Sequence, residues 1–339
     1  MLRLYNKCNA GPSTLDNSTT LSQLIQLLSD GAPHSGTELG AALGVSRTAV
    51  WKNIKKLQAY GVTIQTMKGQ GYALASPLIL LDPLKIKSLL GDQSIVLHVF
   101  ESIGSTNDYA KTLFDPSRIQ VCLAEQQTAG RGRFNRPWHS PFGENIYFSL
   151  SYPFTQELSQ LGGLSLVTGL CLIKTLNELY VLSEPVGIKW PNDILANHQK
   201  LAGTLIEMKA ESHGAANIVI GIGINVNMLK SESKSTTQPW TSLQKLTGQY
   251  QDRNSLVAQL IHNLVDYLER FTSKGLKSFM KEWREYDVLK GKKITLQSTQ
   301  QCITGEACGI NANGYLQLKL DLTGEIQAFS WGDTSIVKE

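Results

Sequence analysis

No apolar run in the 339-residue chain approaches the length of a membrane span, so a helical membrane protein is not expected. Residues 1–17 are mixed and polar and lack the apolar stretch of a signal peptide, so export is not expected and a cytoplasmic protein is. The five cysteines (Cys8, Cys122, Cys171, Cys302, Cys308) form no CxxC pair, which argues against a disulfide framework or a zinc knuckle. The six histidines show no metal-ligand spacing, so no tightly bound transition metal is expected. No internal repeat or low-complexity block is present. A net charge of only +4 excludes an indiscriminate polycation but allows a local basic patch. What remains is 42% hydrophobic and 18% charged, the profile of a globular protein with a substantial core.

The chain reads as five segments. Residues 1–20, rich in Asn, Ser and Thr, form a loose tail. Residues 21–75 follow the order of a winged helix-turn-helix. Leu21, Leu24, Ile25 and Leu28 share a helical face behind a Thr20–Gln23 capping box. Ser35 and Glu38 make a second box, Gly44 the turn, and Ser46 caps a third helix with Val50, Ile54 and Leu57 inward. Val62–Thr66 and Tyr72–Ala75 then read as strands around the turn Lys68-Gly69-Gln70-Gly71. Residues 76–94 form a linker with one short helix. Residues 95–286 mix strand-like segments, such as Val121–Glu125, Asn145–Tyr152 and Ile218–Asn225, with helices over Leu161–Leu179 and Asn254–Phe271. The strands do not alternate one by one with helices, so a mixed or antiparallel sheet is expected. Residues 287–339 become short strands and Gly turns, the pattern of a small β-barrel.

The third helix carries most of the head's basic charge. Its first turn, Arg47, Thr48 and Trp51, is placed to meet base edges in a major groove. Lys52, Lys55, Lys56 and the wing residue Lys68 would meet phosphates. A solvated basic face on a protein-interaction domain is the alternative, and Trp51 could instead be core.

The segment Glu125-Gln126-Gln127-Thr128-Ala129-Gly130-Arg131-Gly132-Arg133 runs from a strand into a loop. Glycines there expose backbone N–H groups and the arginines add fixed positive charge, a cradle for an oxyanion or phosphate. It is neither a P-loop nor a dinucleotide fingerprint, because Asn135 stands where the third glycine of GxGxxG would be. Read alone, GRGR is more commonly an exposed basic turn. It is followed by Trp138, Ser140-Pro141-Phe142-Gly143, Lys189-Trp190-Pro191-Asn192-Asp193, Lys200-Leu201-Ala202-Gly203 and Gly221-Ile222-Gly223-Ile224-Asn225-Val226-Asn227. With these motifs in this order, the chain resembles the bacterial family of bifunctional biotin–protein ligases and biotin-operon repressors, from about residue 21 to the C-terminus.

The resemblance implies a multidomain α+β fold: winged helix, a central mixed-sheet ligase domain like that of class II synthetases, and an SH3-like C-terminal barrel. It implies biotinyl-5′-adenylate formation from biotin and ATP, transfer to a lysine of a biotin carboxyl carrier protein, and adenylate-dependent repression of biotin synthesis genes. Arg131, Arg133, Lys200 and Asp193 are then the catalytic candidates, with Asp193 also the Mg²⁺ ligand. An Asx turn would need the same Asn192 and Asp193. Ser105, Thr106, Asn107 and Gln127 would meet the ureido ring, with Gly130, Arg131, Gly132, Arg133, Lys200, Gly221 and Gly223 lining the biotin slot. A helix N-cap explains Ser105 equally well. Arg133, Trp138, Asn192, Lys200 and Asn225 would hold ATP and the adenylate, unless Trp138 is simply buried core. Phe134-Asn135 departs from the small or basic residues common in the family. The loop lacks an apolar anchor and is expected to order on the adenylate, completing a homodimer surface along Asn145–Tyr152 that would bind a two-fold operator. A lipoate or octanoate ligase, and a biotin-sensing transcription factor without ligase activity, are the alternatives.

Overall fold

The computed structural model describes residues 20–91, 94–154, 161–210, 216–230, 238–298 and 301–337. The expected tail, apart from Thr20, lies outside them. The head consists of α1 (Thr20–Leu28), α2 (Gly36–Leu43), α3 (Arg47–Ala59) and a hairpin of β1 (Ile64–Met67) and β2 (Gly71–Leu74). Thr20 is already the first helical residue of α1. The Ser35–Glu38 box forms reciprocally, Ser46 Oγ accepts from Ala49 N, and Gly44 closes α2 at φ 65, the left-handed turn that favours glycine. Leu21, Leu24, Ile25, Leu28, Val50, Ile54 and Leu57 fill one small core. Trp51 is 50% exposed, so it belongs to the outer face and not to that core.

The head is docked on the rest of the chain. Phe142 and Leu78, from outside it, complete its core. Tyr60, capping α3, stacks on Phe142 with centroids 4.7 Å apart and planes 5° off parallel. Its hydroxyl donates to Glu101, and Lys56 Nζ lies 2.5 Å from the same carboxylate. Lys56, expected to face DNA phosphate, is therefore committed within the molecule. A carboxylate only 4% exposed holds it.

The linker leads through α4 (Pro83–Leu90) into the central domain: β3 (Ile95–Phe100), α5 (Thr106–Ala110), β4 (Ile119–Ala124), β5 (Ile146–Phe154), α6 (Leu164–Leu179), β6 (Val186–Lys189), β7 (Asp193–Ala196), β8 (Gln199–Ala210), β9 (Ala216–Ile224), α7 (Leu243–Thr247), α8 (Arg253–Lys274) and α9 (Met280–Tyr286). Seven strands pair in the order β3-β4-β5-β9-β8-β7-β6, with β3 and β4 parallel and the other neighbours antiparallel. Alternation along the strands divides the two faces. Val121, Leu123, Ile146, Phe148, Leu150, Ile218, Ile220, Ile222 and Ala202 join α6 and α8 in the main core. The intervening residues Tyr147, Ser149, Gly203, Glu207, Gly221 and Gly223 face the other way, toward α5 and the glycine–arginine loop. β5 pairs with β4 on one side and β9 on the other. Over Tyr147–Ser151 it therefore lies inside the sheet, within the stretch Asn145–Tyr152 expected to carry a dimer surface.

The linker is stitched down by buried polar groups. Leu81 N donates to Glu125 Oε1 at 2.5 Å, Ile79 N to Tyr250 Oη, and Asp82 N to Asn254 Oδ1. Arg253 donates to the Ile79 and Asn145 carbonyls, with Nη1 2.7 Å from Glu125 Oε2. Both Arg253 and Glu125 are 0% exposed. Beside them burial pushes the Glu144 carboxyl up to about 7, against the pull of Arg253. A carboxyl raised in the folded state stabilises most when protonated, below its ordinary value of 4.5, and that contribution is lost as pH rises through 7. Glu144→Gln is therefore expected to be more stable than the parent at pH 8, by about 1–2 kcal/mol after allowing for partial exposure. The gain should shrink through pH 5 and vanish below pH 4 in paired denaturant melts.

Five antiparallel strands close the C-terminal unit in the order β13-β12-β11-β10-β14: β10 (Lys293–Gln297), β11 (Cys302–Ile310), β12 (Leu316–Leu320), β13 (Ile326–Phe329) and β14 (Asp333–Ile336). Ile294, Leu296, Leu316, Leu318 and Phe329 are continuous with the main core. Trp190 Nε1 donates to Gly314 O, and Thr334 Oγ1 donates to Trp190 O. Among the described residues, no helix is long and apolar enough to cross a membrane.

Candidate active site

The polar end of the site is built on α5. Ser105 caps it, accepting from Asp108 N. Gln127 Oε1 accepts from Thr106 N at 2.9 Å and Thr106 Oγ1 at 3.1 Å, and Gln127 Nε2 donates to Ser140 Oγ. Ser149 Oγ lies 2.7 Å from Thr106 Oγ1 and 2.6 Å from Asn107 Oδ1. Ser105, Thr106, Asn107 and Gln127 therefore converge, and Ser149 joins them unforeseen. Two glycines are explained by close approach. A Cβ on Gly221 would lie 2.2 Å from Asn107 Oδ1, and one on Gly223 2.5 Å from the Trp138 indole. A Cβ on Gly130 would likewise meet Ser140, Gln127 and the Trp138 carbonyl, whereas one on Gly132 would meet nothing nearer than 3.9 Å.

The other end is cationic. Lys200 Nζ pairs with Asp193 at 2.7 Å and lies 5.3 Å from the Trp138 ring centroid. Arg133 donates to Gly332 O and to Asp333 Oδ1 at 3.1 Å, and Arg136 pairs with the same carboxylate at 2.5 Å. Lys189 joins this group. Burial pushes its amine down, Lys200 and Arg136 add to the effect, and Asp193 and Asp333 oppose it. Burial also lowers Arg133, with Asp333 and Asp193 opposing. Four cations thus share two carboxylates at the start of β8, an excess of positive charge suited to phosphate. The indole Nε1 of Trp138 is buried with no hydrogen-bond partner among the described residues.

Arg131 is placed differently from Arg133. Its guanidinium forms two 2.6 Å bonds to Asp108 and reaches Glu207 at 3.2–3.3 Å, at the polar end of the site. Asn192 Nδ2 donates to Thr204 O, and Asn225 Nδ2 to the Lys200 and Thr241 carbonyls, so both amides brace backbone. The loop lacks an apolar anchor, as its sequence suggests, but is pinned by charge at both ends, through Asp108 and Glu207 and through Asp333. Between them Phe134 and Asn135 both sit at φ 55, and the Phe134 ring lies under the guanidiniums of Arg133 (4.9 Å) and Arg136 (5.6 Å). Sequence reasoning missed Asp108, Glu207, Arg136 and Asp333, and quoted Lys189 without giving it a role. No cluster of three or more metal-ligating side chains occurs among the described residues.

On the head, Arg47, Thr48, Trp51, Lys52, Lys55 and Lys68 are all exposed, and Lys55 Nζ lies 5.9 Å from the Trp51 ring centroid.

A cationic site on one sheet face and a helix-turn-helix head are thus carried by one chain. The model of the biotin/lipoate A/B protein ligase family matches residues 99–225, and a helix-turn-helix domain model matches residues 20–73. The bifunctional ligase/repressor BirA of Salmonella typhimurium is 38% identical over 95% of this chain and 99% of its own length. The Bacillus subtilis protein of the same description is 30% identical over 89% and 94%. A biotin protein ligase from Aquifex aeolicus, solved with biotin and ATP, superposes with a TM-score of 0.62 at 27% identity, covering 72% of this chain and 99% of that one. The chain belongs to the bifunctional ligase/repressor family.

Proposed function

We propose that the chain joins biotin to ATP, transfers the biotinyl group to a lysine of a biotin carboxyl carrier protein, and represses biotin synthesis genes when the adenylate is bound. One observation carries the ligase reading. A polar cluster on α5 and a cation cluster at Lys200 occupy one face of the sheet, with Trp138 lying on Gly223 beside Lys200. That arrangement suits a ligand with a urea at one end and a phosphoryl group at the other. In the first step a biotin carboxylate oxygen attacks the α-phosphorus of ATP and the bond to pyrophosphate breaks. Arg133, Lys189 and Lys200 offset the negative charge where two anions meet. In the second step the acceptor amine attacks the acyl carbon, AMP leaves with the bonding pair, and the amine's proton passes to solvent. Mg²⁺ would be held by Asp193 together with ATP phosphates, as that ion prefers. Trp138 would cover the adenine. Incubation with ATP, Mg²⁺, biotin and a carrier domain should add one biotinyl mass to one carrier lysine by mass spectrometry. Lipoate in place of biotin should not react, and preferential lipoyl transfer would overturn the reading.

Arg133→Gly removes a side chain that ties the loop to the C-terminal barrel. The adenylate should escape faster, and biotin should appear on lysines of bystander proteins. An unchanged adenylate off-rate would count against the loop as a clasp.

The exposed basic face of α3 supports operator binding. One head offers few phosphate contacts, so two heads on two half-sites raise affinity by effective concentration. The adenylate, more than biotin, is proposed to promote the dimer. Sedimentation and operator binding with no ligand, biotin or a stable adenylate analogue should differ in that order, and equality across all three would sink the coupling.

A further inference from the structure

Glu207 lies on β8, seven residues beyond Lys200, on the face that also carries Gly203. Its Oε2 accepts from Asn107 Nδ2 at 2.8 Å, its Oε1 from Lys111 Nζ at 2.7 Å, and the Arg131 guanidinium lies 3.2–3.3 Å away. One side chain thereby joins the helix that carries the polar slot to the glycine–arginine loop. Burial alone would raise this carboxyl, but hydrogen bonds from Lys111, Asn107 and Arg131 outweigh it and hold it below the ordinary carboxylate range.

The chemistry of the pair has a direction. An amide is nearly symmetric in shape, with a donor at one end and an acceptor at the other, whereas an ionised carboxylate only accepts. Glu207 therefore fixes which end of Asn107 faces it. Nδ2 turns to Glu207, and Oδ1 turns to Ser149 Oγ (2.6 Å) and to the bare backbone at Gly221. A cyclic urea presents two N–H donors, so the slot needs acceptors there. A flipped Asn107 would set its oxygen against the Glu207 carboxylate, acceptor against acceptor, and its amino group against the urea N–H groups, while Ser149 could still donate to Thr106 Oγ1.

We infer that Glu207 is the positioning residue that gives the slot its acceptor polarity and, through Arg131, locks the loop to the same helix. This rests on the reading of Ser105–Asn107 as the biotin slot. Glu207 touches no reacting atom in this account. Asp108 shares the hold on Arg131, but the Asn107 amide donates to Glu207 and not to Asp108.

The test uses the full chain with Glu207→Gln, Glu207→Ala, Lys111→Met and Asn107→Ala. Three quantities are read: biotin affinity by calorimetry without ATP, affinity for biotin methylated on either ureido nitrogen, and the dissociation rate of preformed adenylate. Gln can still offer an acceptor to Asn107 but no charge to Arg131. It should bind biotin within about threefold of the parent while losing adenylate about tenfold faster, the range expected for one charge-assisted bond. Ala should weaken biotin by about tenfold or more and shrink its advantage over the methylated forms. Lys111→Met, which leaves the Asn107 bond intact, should keep that advantage. Parental affinity and selectivity in Glu207→Ala would overturn the inference. So would a parental adenylate off-rate in Glu207→Gln, which decides the matter if the alanine variant does not fold. If Asn107→Ala leaves biotin affinity unchanged, the slot assignment itself fails, separately from the role of Glu207.

Discussion

Lys200→Ala is expected to slow biotin-dependent pyrophosphate release by roughly 10²–10³-fold while biotin binding remains measurable. Lys200 Nζ sits 2.7 Å from Asp193, so in the free protein its charge is already paired. Bound biotin is a monoanion at the carboxylate, and the neighbouring cations Arg133 and Lys189 can still attract it. The demand on Lys200 grows as negative charge builds on the phosphoryl oxygens, so its loss should appear in the chemical step rather than in the ground state. Pyrophosphate release within a few-fold of the parent would remove Lys200 from the reaction. The companion Asp193→Asn separates two roles. If Asp193 only orients Lys200, activity should fall without a change in Mg²⁺ dependence, whereas a metal ligand should shift the Mg²⁺ concentration required.

The largest expected effect on stability lies away from the chemistry. Arg253→Leu leaves Glu125 0% exposed and without its cation. Removing one partner of a buried pair costs about 3–5 kcal/mol, because the remaining charge cannot recover its water. For a core of this size that corresponds to a melting point lower by roughly 10 °C. Arg253 also holds the Ile79 and Asn145 carbonyls, so the linker should loosen with it. Hydrogen exchange at the linker amides, Leu81 above all, should therefore quicken well below the melting point. A melting point within 2–3 °C of the parent, an interval corresponding to about 1 kcal/mol, would show that water reaches Glu125.

The parts legible in the sequence were those whose signals are local. Ser35 and Glu38 are three residues apart, and their box formed as written. The alternation of Ile146, Phe148 and Leu150 with Tyr147 and Ser149 declared a strand with two different faces. Motif order supplied the family and brought Lys200, Asp193 and Arg133 into view. The missing parts depend on contacts between distant segments. Asp333 stands 200 residues from Arg133, in a Gly-Asp-Thr-Ser stretch that carries no motif and in a strand too short to show a period. Glu125 and Arg253 look like ordinary surface charges until folding encloses them. Lys56 shows the opposite error. Helical periodicity put it on the outer face correctly, but that face meets the ligase domain at its last turn, so Glu101 takes the charge. The ion pairs of the loop were out of sight for a related reason. Glycines on either side of an arginine suggest freedom, but Asp108, Glu207 and Asp333 come from three separate places in the chain.

The contact between Tyr60, Lys56, Glu101 and Phe142 bears on how this architecture can be rearranged by recombination. A ligase excised from its head would bare the Glu101 carboxylate, stripped of its cation, and the Phe142 ring to water. Grafting the head of another repressor would do no better unless the donor's third helix ended in a stacking ring and a lysine at matching positions. Exchange of whole domains between such proteins is therefore constrained at four residues, none of which needs to touch DNA or substrate.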